Sequence, residues 1–302
     1  MSNIVIIGGG GFLGLHLVLA LVHEGGHEIY VLDKRPPEKA LCAYVDGVKY
    51  QQVDIVDGRW DFPDGVDVVY DLAGYLGSVP CTQNMARAVR ENVLTHAVVL
   101  DKLRTEDCSP VLVFTSTDLV YGYGDVSSEV AVCEPICGYA IMKRCAERLF
   151  YLARRVSDIP LVILRLSTVY GPYQERLSLV NLFIKAALCG ADLTVFGNGT
   201  VLRDWLYVDD AVSALRLAPQ LAGVYNVPGD PRWIRDVAET VVKIVGSGSV
   251  SQVPWPTLTA MVDVGDHVLD GSRIGRCGWR VTVDLEEGIR RTAAWMRSTK
   301  LV

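Results

Sequence analysis

The sequence lacks any apolar run of about 20 residues, the length that a helix needs to cross a lipid bilayer. Glycines interrupt the apolar N-terminus, and no signal cleavage site follows it, so we expect no secretory signal. These two features predict a soluble, cytoplasmic protein that does not associate with membranes.

The sequence also lacks an excess of basic residues and any run of lysine and arginine. Its formal charge at pH 7 is −6, from 29 basic and 35 acidic residues. A nucleic-acid-binding surface needs a basic patch, so we expect no nucleic-acid partner.

Metal-binding and disulfide patterns are missing as well. The eight cysteines are scattered, and no Cys-x-x-Cys pair occurs among them. The nearest pair, Cys133 and Cys137, has no companion histidine cluster that would complete a zinc site. We expect no metal and reduced, mostly buried thiols in a reducing compartment.

The sequence does contain a strand-like N-terminus followed by regularly spaced glycines. The four aliphatic residues 4–7 are typical of a strand buried on both faces. Gly8 allows a tight turn, Gly11 lets the backbone approach a pyrophosphate, and Gly14 lets the next helix pack closely. Phe12 and Leu13 open that helix, whose N-terminal amides suit a phosphate group.

A carboxylate follows at the position expected for ribose recognition. A second predicted strand, residues 27–32, ends in Asp33, nineteen residues after Gly14. A carboxylate at this strand tip accepts the ribose hydroxyls and repels a 2′-phosphate, which favours NAD over NADP. Lys34 and Arg35 follow directly and leave NADP open as the alternative.

Strands and helices alternate from residue 3 to about residue 170, the pattern of a doubly wound parallel sheet of the Rossmann type. We therefore predict an α/β protein with a dinucleotide-binding domain at residues 1–172. Residues 173–302 predict a smaller, loop-rich lobe, some segments of which can return to the first domain. Its predicted helices lie near 178–189, 209–218, 233–245 and 284–297.

Several polar or small residues lie at or near strand ends, where ligands of such sheets bind. Asp54 follows a third strand and fits either an adenine contact or a strand-ending turn. The small residues after the fourth strand, 72–74, leave room for a ligand. Asn92 lies among apolar residues of a predicted helix at 82–104 and therefore needs a hydrogen-bond partner.

Hydroxyl groups and a Tyr-Lys pair follow the fifth strand. Thr115, Ser116 and Thr117 end that strand and are predicted to point at the ligand crevice. Tyr139 and Lys143 share one helical face, where the ammonium stabilises the phenolate and lowers the pKa of the phenol. An ordinary exposed pair at this spacing is the alternative.

Together these pieces resemble one family, the extended short-chain dehydrogenases/reductases of the NAD-dependent epimerase/dehydratase group, which act on nucleotide sugars. The resemblance spans nearly the whole chain. Its matching pieces are Gly8-x-x-Gly11-x-x-Gly14, Asp33, Asp54-Ile55, Leu72-Ala73-Gly74, Asn92, Ser116-Thr117, Val120-Tyr121-Gly122, Tyr139-x-x-x-Lys143, Leu164-Arg165, Val169-Tyr170-Gly171-Pro172, Arg203-Asp204, Val208-Asp209-Asp210 and Tyr225-Asn226-Val227.

The resemblance implies a bound NAD that is reduced and reoxidised in place. Tyr139 would be the base, Lys143 would hold the nicotinamide ribose, and Thr117 would hydrogen-bond the reacting oxygen. It implies cofactor contacts from Gly8, Gly11, Phe12, Leu13, Asp33, Lys34, Asp54, Ile55, Leu72, Ala73, Gly74, Asn92, Thr115, Tyr139, Lys143 and Leu166. It implies substrate contacts from Gly77, Ser78, Thr117, Tyr139, Thr168 and Arg203, with Arg203 at the nucleotide diphosphate.

The sequence departs from the family pattern at three places. Leu119 stands where 4,6-dehydratases have a glutamate base, which disfavours ordinary dehydration; Asp118 before it is either an acid or a turn residue, and we favour the turn. Asp71 replaces a common histidine, which we interpret as structural. The second nucleotide-binding arginine is missing, because the residue three positions before the paired aspartate is Ala260 if Asp263 is aligned and Asp263 if Asp266 is aligned. This leaves the nucleotide open, although UDP is favoured.

We therefore predict an epimerase that inverts C4 of a nucleoside-diphosphate hexose through a 4-keto intermediate. A dehydratase of unusual regiochemistry and a 4-ketosugar reductase are the alternatives among enzymes. A non-catalytic dinucleotide-binding regulator is the alternative from another class, although such proteins usually lose the tyrosine or the lysine. The resemblance also implies a homodimer through the helices at 82–104 and 139–155.

Overall fold

The computed structural model describes residues 2–105, 109–124, 126–176 and 178–299. The chain divides into two compact units. The first comprises Met1–Val120, Cys133–Arg165 and Val212–Tyr225, and the second comprises Tyr121–Val132, Leu166–Ala211 and Asn226–Val302. Residues 121–132 and 166–172 of the first predicted domain thus lie in the second unit, and residues 212–225 of the predicted lobe lie in the first.

The described residues form strands and helices along the whole chain. The strands are β1 (Ser2–Ile7), β2 (His27–Asp33), β3 (Val48–Gln52), β4 (Val68–Asp71), β5 (Val111–Thr117), β6 (Val126–Ser127), β7 (Leu161–Leu166), β8 (Thr168–Tyr170), β9 (Asp192–Phe196), β10 (Leu202–Tyr207), β11 (Gly223–Val227), β12 (Asp230–Trp233), β13 (Ser249–Val253) and β14 (Val268–Leu269). The helices are α1 (Phe12–Glu24), α2 (Ser78–Gln83), α3 (Met85–Val89), α4 (Thr95–Leu103), α5 (Gly138–Ser157), α6 (Leu179–Leu188), α7 (Val208–Leu217), α8 (Ile234–Val245), α9 (Thr257–Val262), α10 (Ser272–Gly275) and α11 (Leu285–Ser298).

A seven-stranded sheet forms the centre of the first unit, in the order β11-β7-β5-β4-β1-β2-β3. The pairs β3–β2, β2–β1, β1–β4 and β4–β5 are parallel. The chain winds outward from β1 in one direction and from β4 in the other, so the strand order reverses between them. This is the predicted doubly wound Rossmann architecture, whose ligands bind at the carboxyl ends beside the reversal.

The core of the first unit lies on both faces of this sheet. Val5, Ile6 and Ile7 are completely buried, as predicted for the first strand. Phe114 of β5 packs against Phe150 of α5 with ring centroids 4.6 Å apart. Phe150 is therefore a core residue and does not contribute to a subunit surface.

A buried ion pair fixes α5 against β7. Both oxygens of Glu147 accept hydrogen bonds from Arg165, at 2.9 and 2.8 Å, and Arg144 donates a third at 2.6 Å. Burial opposes the charge of Glu147, but the two guanidinium groups hold the pKa of this carboxyl below its usual value. Because α5 also carries Tyr139 and Lys143, this network helps to hold the helix on which both side chains lie.

The second unit contains smaller sheets, in the orders β12-β10-β8, β13-β9 and β14-β6. Its helix α11 lies so close to β8 that a Cβ on Gly288 would stand 2.0 Å from the hydroxyl oxygen of Tyr170. Asp210 at the start of α7 accepts hydrogen bonds from the backbone of Thr282 and Val283, both at 3.0 Å. The predicted helices of the second half are all present, but sequence analysis did not find β8, β10, β11, β12, β13 or β14.

The predicted continuous helix at 82–104 is wrong. The segment contains α2, α3, a π-helical turn at Arg90–Leu94 and α4, with a break at Asn84. Asn92 lies within the π turn. Within the described residues, none of the helices combines the length and apolarity required to span a membrane. Cys108, one of the predicted thiols, lies outside the described residues.

Candidate functional site

The glycine loop between β1 and α1 adopts the predicted geometry. Gly8 has φ +78°, and a Cβ there would stand 2.8 Å from the backbone of Ala73. Gly11 is the residue before α1, which has no capping side chain and no acidic residue in its first turn. The amides at Phe12 and Leu13 therefore keep their positive potential, and this end of α1 fits an anionic pyrophosphate.

Gly14 lets α1 pack closely, as predicted, but the neighbour is Gly9 of the preceding loop and not the strand β1. A Cβ on Gly14 would stand 2.5 Å from the Cα of Gly9, so α1 packs against the loop that precedes it. Any larger residue at position 14 would displace this loop.

Asp33 lies at the carboxyl end of β2, against the same loop. Its carboxylate accepts hydrogen bonds from the backbone N–H of Gly10 at 2.9 Å and of Arg35 at 2.8 Å. Its side chain therefore has a fixed direction at the edge where a ribose is expected. Lys34 is exposed and forms an ion pair with Glu91.

Asp54 has the contacts of a turn residue. It accepts a hydrogen bond from the Val56 N–H at 3.0 Å and a second from Arg90 at 2.8 Å. Burial works against its charge, but Arg90 holds the pKa of Asp54 below its usual value. Ile55 is buried in the core, and an adenine contact by Asp54 stays a prediction.

Asn92 has the hydrogen-bond partner that the sequence requires. The side chain is completely buried, its oxygen accepts the N–H of Tyr75 and its amide donates to the carbonyl of Tyr75, each at 3.0 Å. Asn92 thereby fixes the chain just after Leu72, Ala73 and Gly74, where a Cβ on Gly74 would stand 2.9 Å from its oxygen.

Lys143 reaches the carboxyl ends of two central strands. It is 2% exposed, and its Nζ donates to the carbonyls of Thr115 at 3.0 Å and Ala73 at 3.3 Å. The ammonium also lies over the ring of Phe114, 4.7 Å from the centroid. Burial lowers the pKa of Lys143 to about 8, although the carboxylate of Asp71 opposes this.

Tyr139 lies one helical turn before Lys143 and is half-buried. Burial raises the pKa of its phenol, and nearby Cys81 and Asp118 act in the same direction. The expected lowering by Lys143 is therefore not found in the protein itself. Desolvation of the phenol is the largest cause of the difference.

Thr117 and Asp118 form a hydrogen-bonded pair, of which sequence analysis interpreted only Asp118 as a turn residue. The Thr117 hydroxyl donates to Asp118 at 2.9 Å, and the Leu119 N–H donates to the same oxygen at 2.8 Å. Asp118 does start a short 3-10 helix, Asp118–Tyr121, but it is only 4% exposed. The sequence signal for the burial of Asp118 was its position directly after a buried strand.

The three hydroxyls that end β5 do not all point the same way, because successive side chains of a strand alternate between its faces. Thr115 donates to the carbonyl of Asp71 at 3.3 Å, while Ser116 lies on the other face. Gly77 precedes α2 with φ +101°, and Ser78 begins that helix. Both are half-buried in the first unit, among the residues predicted to contact the sugar.

The predicted substrate residues of the second unit lie on neighbouring strands. Thr168 of β8 is half-buried and pairs in register with Trp205 of β10. Arg203, also on β10, binds Asp263 with N–O distances of 2.9 and 3.0 Å. Leu166, predicted to contact the cofactor, is buried at the end of β7.

A sequence model of the NAD dependent epimerase/dehydratase family matches residues 4–227. A UDP-glucuronic acid 4-epimerase from Bacillus cereus, solved with UDP-glucuronic acid and NAD, is 25% identical and superposes with a TM-score of 0.87 over 99% of this chain and 100% of that one. The UDP-glucose 4-epimerase of Thermus thermophilus, solved with NAD, is 27% identical, with a TM-score of 0.86 over 98% and 99%.

A longer relative combines several activities. It is a trifunctional UDP-glucose 4,6-dehydratase/UDP-4-keto-6-deoxy-D-glucose 3,5-epimerase/UDP-4-keto-L-rhamnose-reductase of Arabidopsis thaliana, 26% identical over 97% of this chain and 47% of that protein. The chain therefore spans about half the length of this curated relative.

The position of Asp33 generates a test of dinucleotide preference. We expect Asp33→Ser to weaken NAD+ binding about tenfold and to permit NADP+ binding, because the variant loses the ribose acceptor and the charge that repels a 2′-phosphate. Fluorescence titration of both dinucleotides measures this. Asp46→Ser, which removes an exposed carboxylate, is the control. Unchanged affinities in Asp33→Ser would place the ribose elsewhere.

Proposed function

Because this chain belongs to the NAD dependent epimerase/dehydratase family, we propose that it is a nucleotide-sugar epimerase that inverts C4 of a nucleoside-diphosphate hexose. It is an enzyme, and NAD is its cofactor, as predicted. The observation that carries the proposal is the position of Lys143. Its ammonium is fixed at the ends of β4 and β5, and Tyr139 lies one turn away on the same helix.

The first group of residues in the proposal holds the cofactor. The amides at the start of α1 would bind the pyrophosphate, Asp33 the adenosine ribose, and Lys143 the nicotinamide ribose. Bound NAD supplies the acceptor and donor of the C4 hydride, and its oxidised ring carries a positive charge. That charge favours the phenolate of Tyr139, whose pKa burial raises in the protein itself.

The second group moves the proton. Tyr139 accepts the proton of the C4 hydroxyl as the carbonyl forms, and returns it when C4 is reduced from the opposite face. Thr117 hydrogen-bonds the same oxygen, and its own hydroxyl is held by Asp118 at 2.9 Å. Because the proton and hydride both return, the reaction consumes no cofactor.

The side chain of residue 119 favours an epimerase over the alternatives. Leu119 cannot accept a proton from C5, which ordinary 4,6-dehydration requires. A dehydratase of other regiochemistry would release water, and a 4-ketosugar reductase would consume NADH stoichiometrically. A non-catalytic regulator has no use for a buried ammonium beside a tyrosine, so this alternative is the weakest.

The proposed substrate contacts are those that the family resemblance implies. Gly77 and Ser78 would bind the sugar, and Thr168 and Arg203 the diphosphate. The loop 75–79 contains no arginine or lysine that would select a carboxylated sugar. UDP is the favoured nucleotide, since the two solved relatives described above are named as UDP-sugar epimerases.

We propose a homodimer and a cytoplasmic location as well. Helices of the first unit expose apolar side chains, among them Met85, Ile141 and Leu152, and Leu152 is 58% exposed.

The cytoplasmic location is supported by the free thiols of Cys42, Cys137, Cys145, Cys189 and Cys277, which are typical of a reducing compartment. Cell fractionation tests it, and recovery outside the cytoplasm would contradict it.

The proposed base generates the direct test of function. We expect Tyr139→Phe to lower the rate of C4 inversion at least about 100-fold, because the proton acceptor is lost. Proton NMR of UDP-hexoses measures inversion through the H3–H4 coupling. Tyr123 is 71% exposed, so Tyr123→Phe, which removes the hydroxyl of an exposed residue, is expected to keep the wild-type rate.

Two results would contradict the proposal. A wild-type rate of C4 inversion in Tyr139→Phe would show that Tyr139 is not the base. Unchanged UDP-hexoses after incubation with NAD-loaded wild-type protein would remove the epimerase assignment, and stoichiometric loss of added NADH would identify a reductase.

The dimer is tested by sedimentation equilibrium. We expect twice the chain mass for the wild type and one chain mass for Leu152→Glu, because a charge at an apolar interface is costly. Val130→Glu, at another exposed apolar position, is expected to stay dimeric. A single-chain mass for the wild type would contradict the dimer.

A further inference from the structure

Arg203 of the second unit is bound by a carboxylate of the same chain. Its Nη2 lies 2.9 and 3.0 Å from the two oxygens of Asp263, and its Nη1 donates to the carbonyl of Leu202 at 3.1 Å. The side chains of Arg203 and Asp263 are 10% and 25% exposed, so water screens this pair only partly. The contacts use the terminal nitrogens, which are the usual phosphate donors.

The loop that carries Asp263 is held in place by its own contacts. Asp263 follows α9 and accepts the N–H of Gly265 at 2.9 Å, in a turn where Gly265 has φ +69°. Asp266 then accepts the N–H of Leu202 at 2.9 Å, and the N–H of His267 donates to the carbonyl of Leu202 at 3.0 Å. The loop therefore runs along β10 and presents its carboxylate to Arg203.

The charge at residue 263 has a direct consequence for anion binding. A guanidinium beside a carboxylate forms a neutral pair, whereas a diphosphate needs a net positive partner. A diphosphate that binds Arg203 either displaces the carboxylate from Nη2 or binds beside its negative charge. Specificity of this kind arises from a repulsive element as well as from attractive contacts.

We propose that Asp263 is a specificity-determining residue that competes with the substrate diphosphate for Arg203. The inference rests on the proposed function, because it takes a nucleoside diphosphate as the ligand. It implies that this chain binds the diphosphate more weakly than Arg203 alone would, and that the nucleoside and sugar supply a larger share of the affinity.

Isothermal titration calorimetry of the NAD-loaded protein with UDP and with uridine tests this. We expect Asp263→Asn, which keeps the shape and removes the charge, to tighten UDP binding about tenfold. Uridine affinity should not change, because uridine has no phosphate. Arg203→Met should weaken UDP binding in both backgrounds.

The matched control is Asp209→Asn. It removes the carboxylate of another Asp-Arg pair of the same unit, Asp209 with Arg291, at which no ligand is proposed. We expect its UDP affinity to equal that of the wild type. Retained NAD content and near-UV circular dichroism show that each variant is folded.

Two outcomes would overturn the inference and separate it from the proposed function. If UDP binds Asp263→Asn as tightly as it binds the wild type, Asp263 has no effect on Arg203. If UDP binds this variant more weakly, Asp263 orients Arg203 and does not compete for it. In both cases the inference fails and the epimerase proposal stands. If UDP binds none of the folded variants, the inference fails together with the nucleotide assignment.

Discussion

The burial of a single ammonium group, that of Lys143, constrains the proposed catalytic site. A charge that is 2% exposed needs acceptors, and the carbonyls of Ala73 and Thr115 provide them. The Thr115 carbonyl belongs to β5, and the Ala73 carbonyl lies two residues after the neighbouring parallel strand β4, so the lysine is fixed at the carboxyl edge of the sheet. This fixed lysine also constrains the rest of α5. Tyr139 lies one turn before Lys143, and Glu147, which binds Arg165, lies one turn after it.

A buried polar pair, Asp71 and His96, is linked to Lys143 through the ring of Phe114. Asp71 at the end of β4 and His96 of α4 are completely buried, with 2.7 Å between Oδ2 and Nδ1. The His96 ring meets Phe114 edge-on at 4.9 Å, and Phe114 in turn lies under the Lys143 ammonium. The carboxylate of Asp71 therefore partly offsets the burial that lowers the pKa of Lys143. The structural role predicted for Asp71 is consistent with this position.

Sequence analysis predicted those features that depend on residues close together in the chain. The glycine turn, the strand tip at Asp33 and the Tyr139-Lys143 spacing are local, so periodicity and residue type were sufficient. The carbonyl partners of Lys143 and the Arg203–Asp263 pair join residues 28 to 70 positions apart, and only the folded chain brings them together. The prediction of one helix at 82–104 failed because the segment breaks at Asn84 and contains a π turn around Asn92, whose side chain bonds the distant backbone of Tyr75, and local periodicity shows none of these features.

The pKa of Lys143 tests the central claim most directly. It can be followed by NMR titration of lysines labelled with carbon-13 at Cε, with the signal assigned by its absence in Lys143→Met. The account predicts a value of about 8, against an ordinary value of 10.5. Between these values the unfolded chain holds the proton that the folded chain has lost, so this lysine makes stability rise with pH there. A measured value at or above 10.5 would contradict a desolvated ammonium at the strand ends.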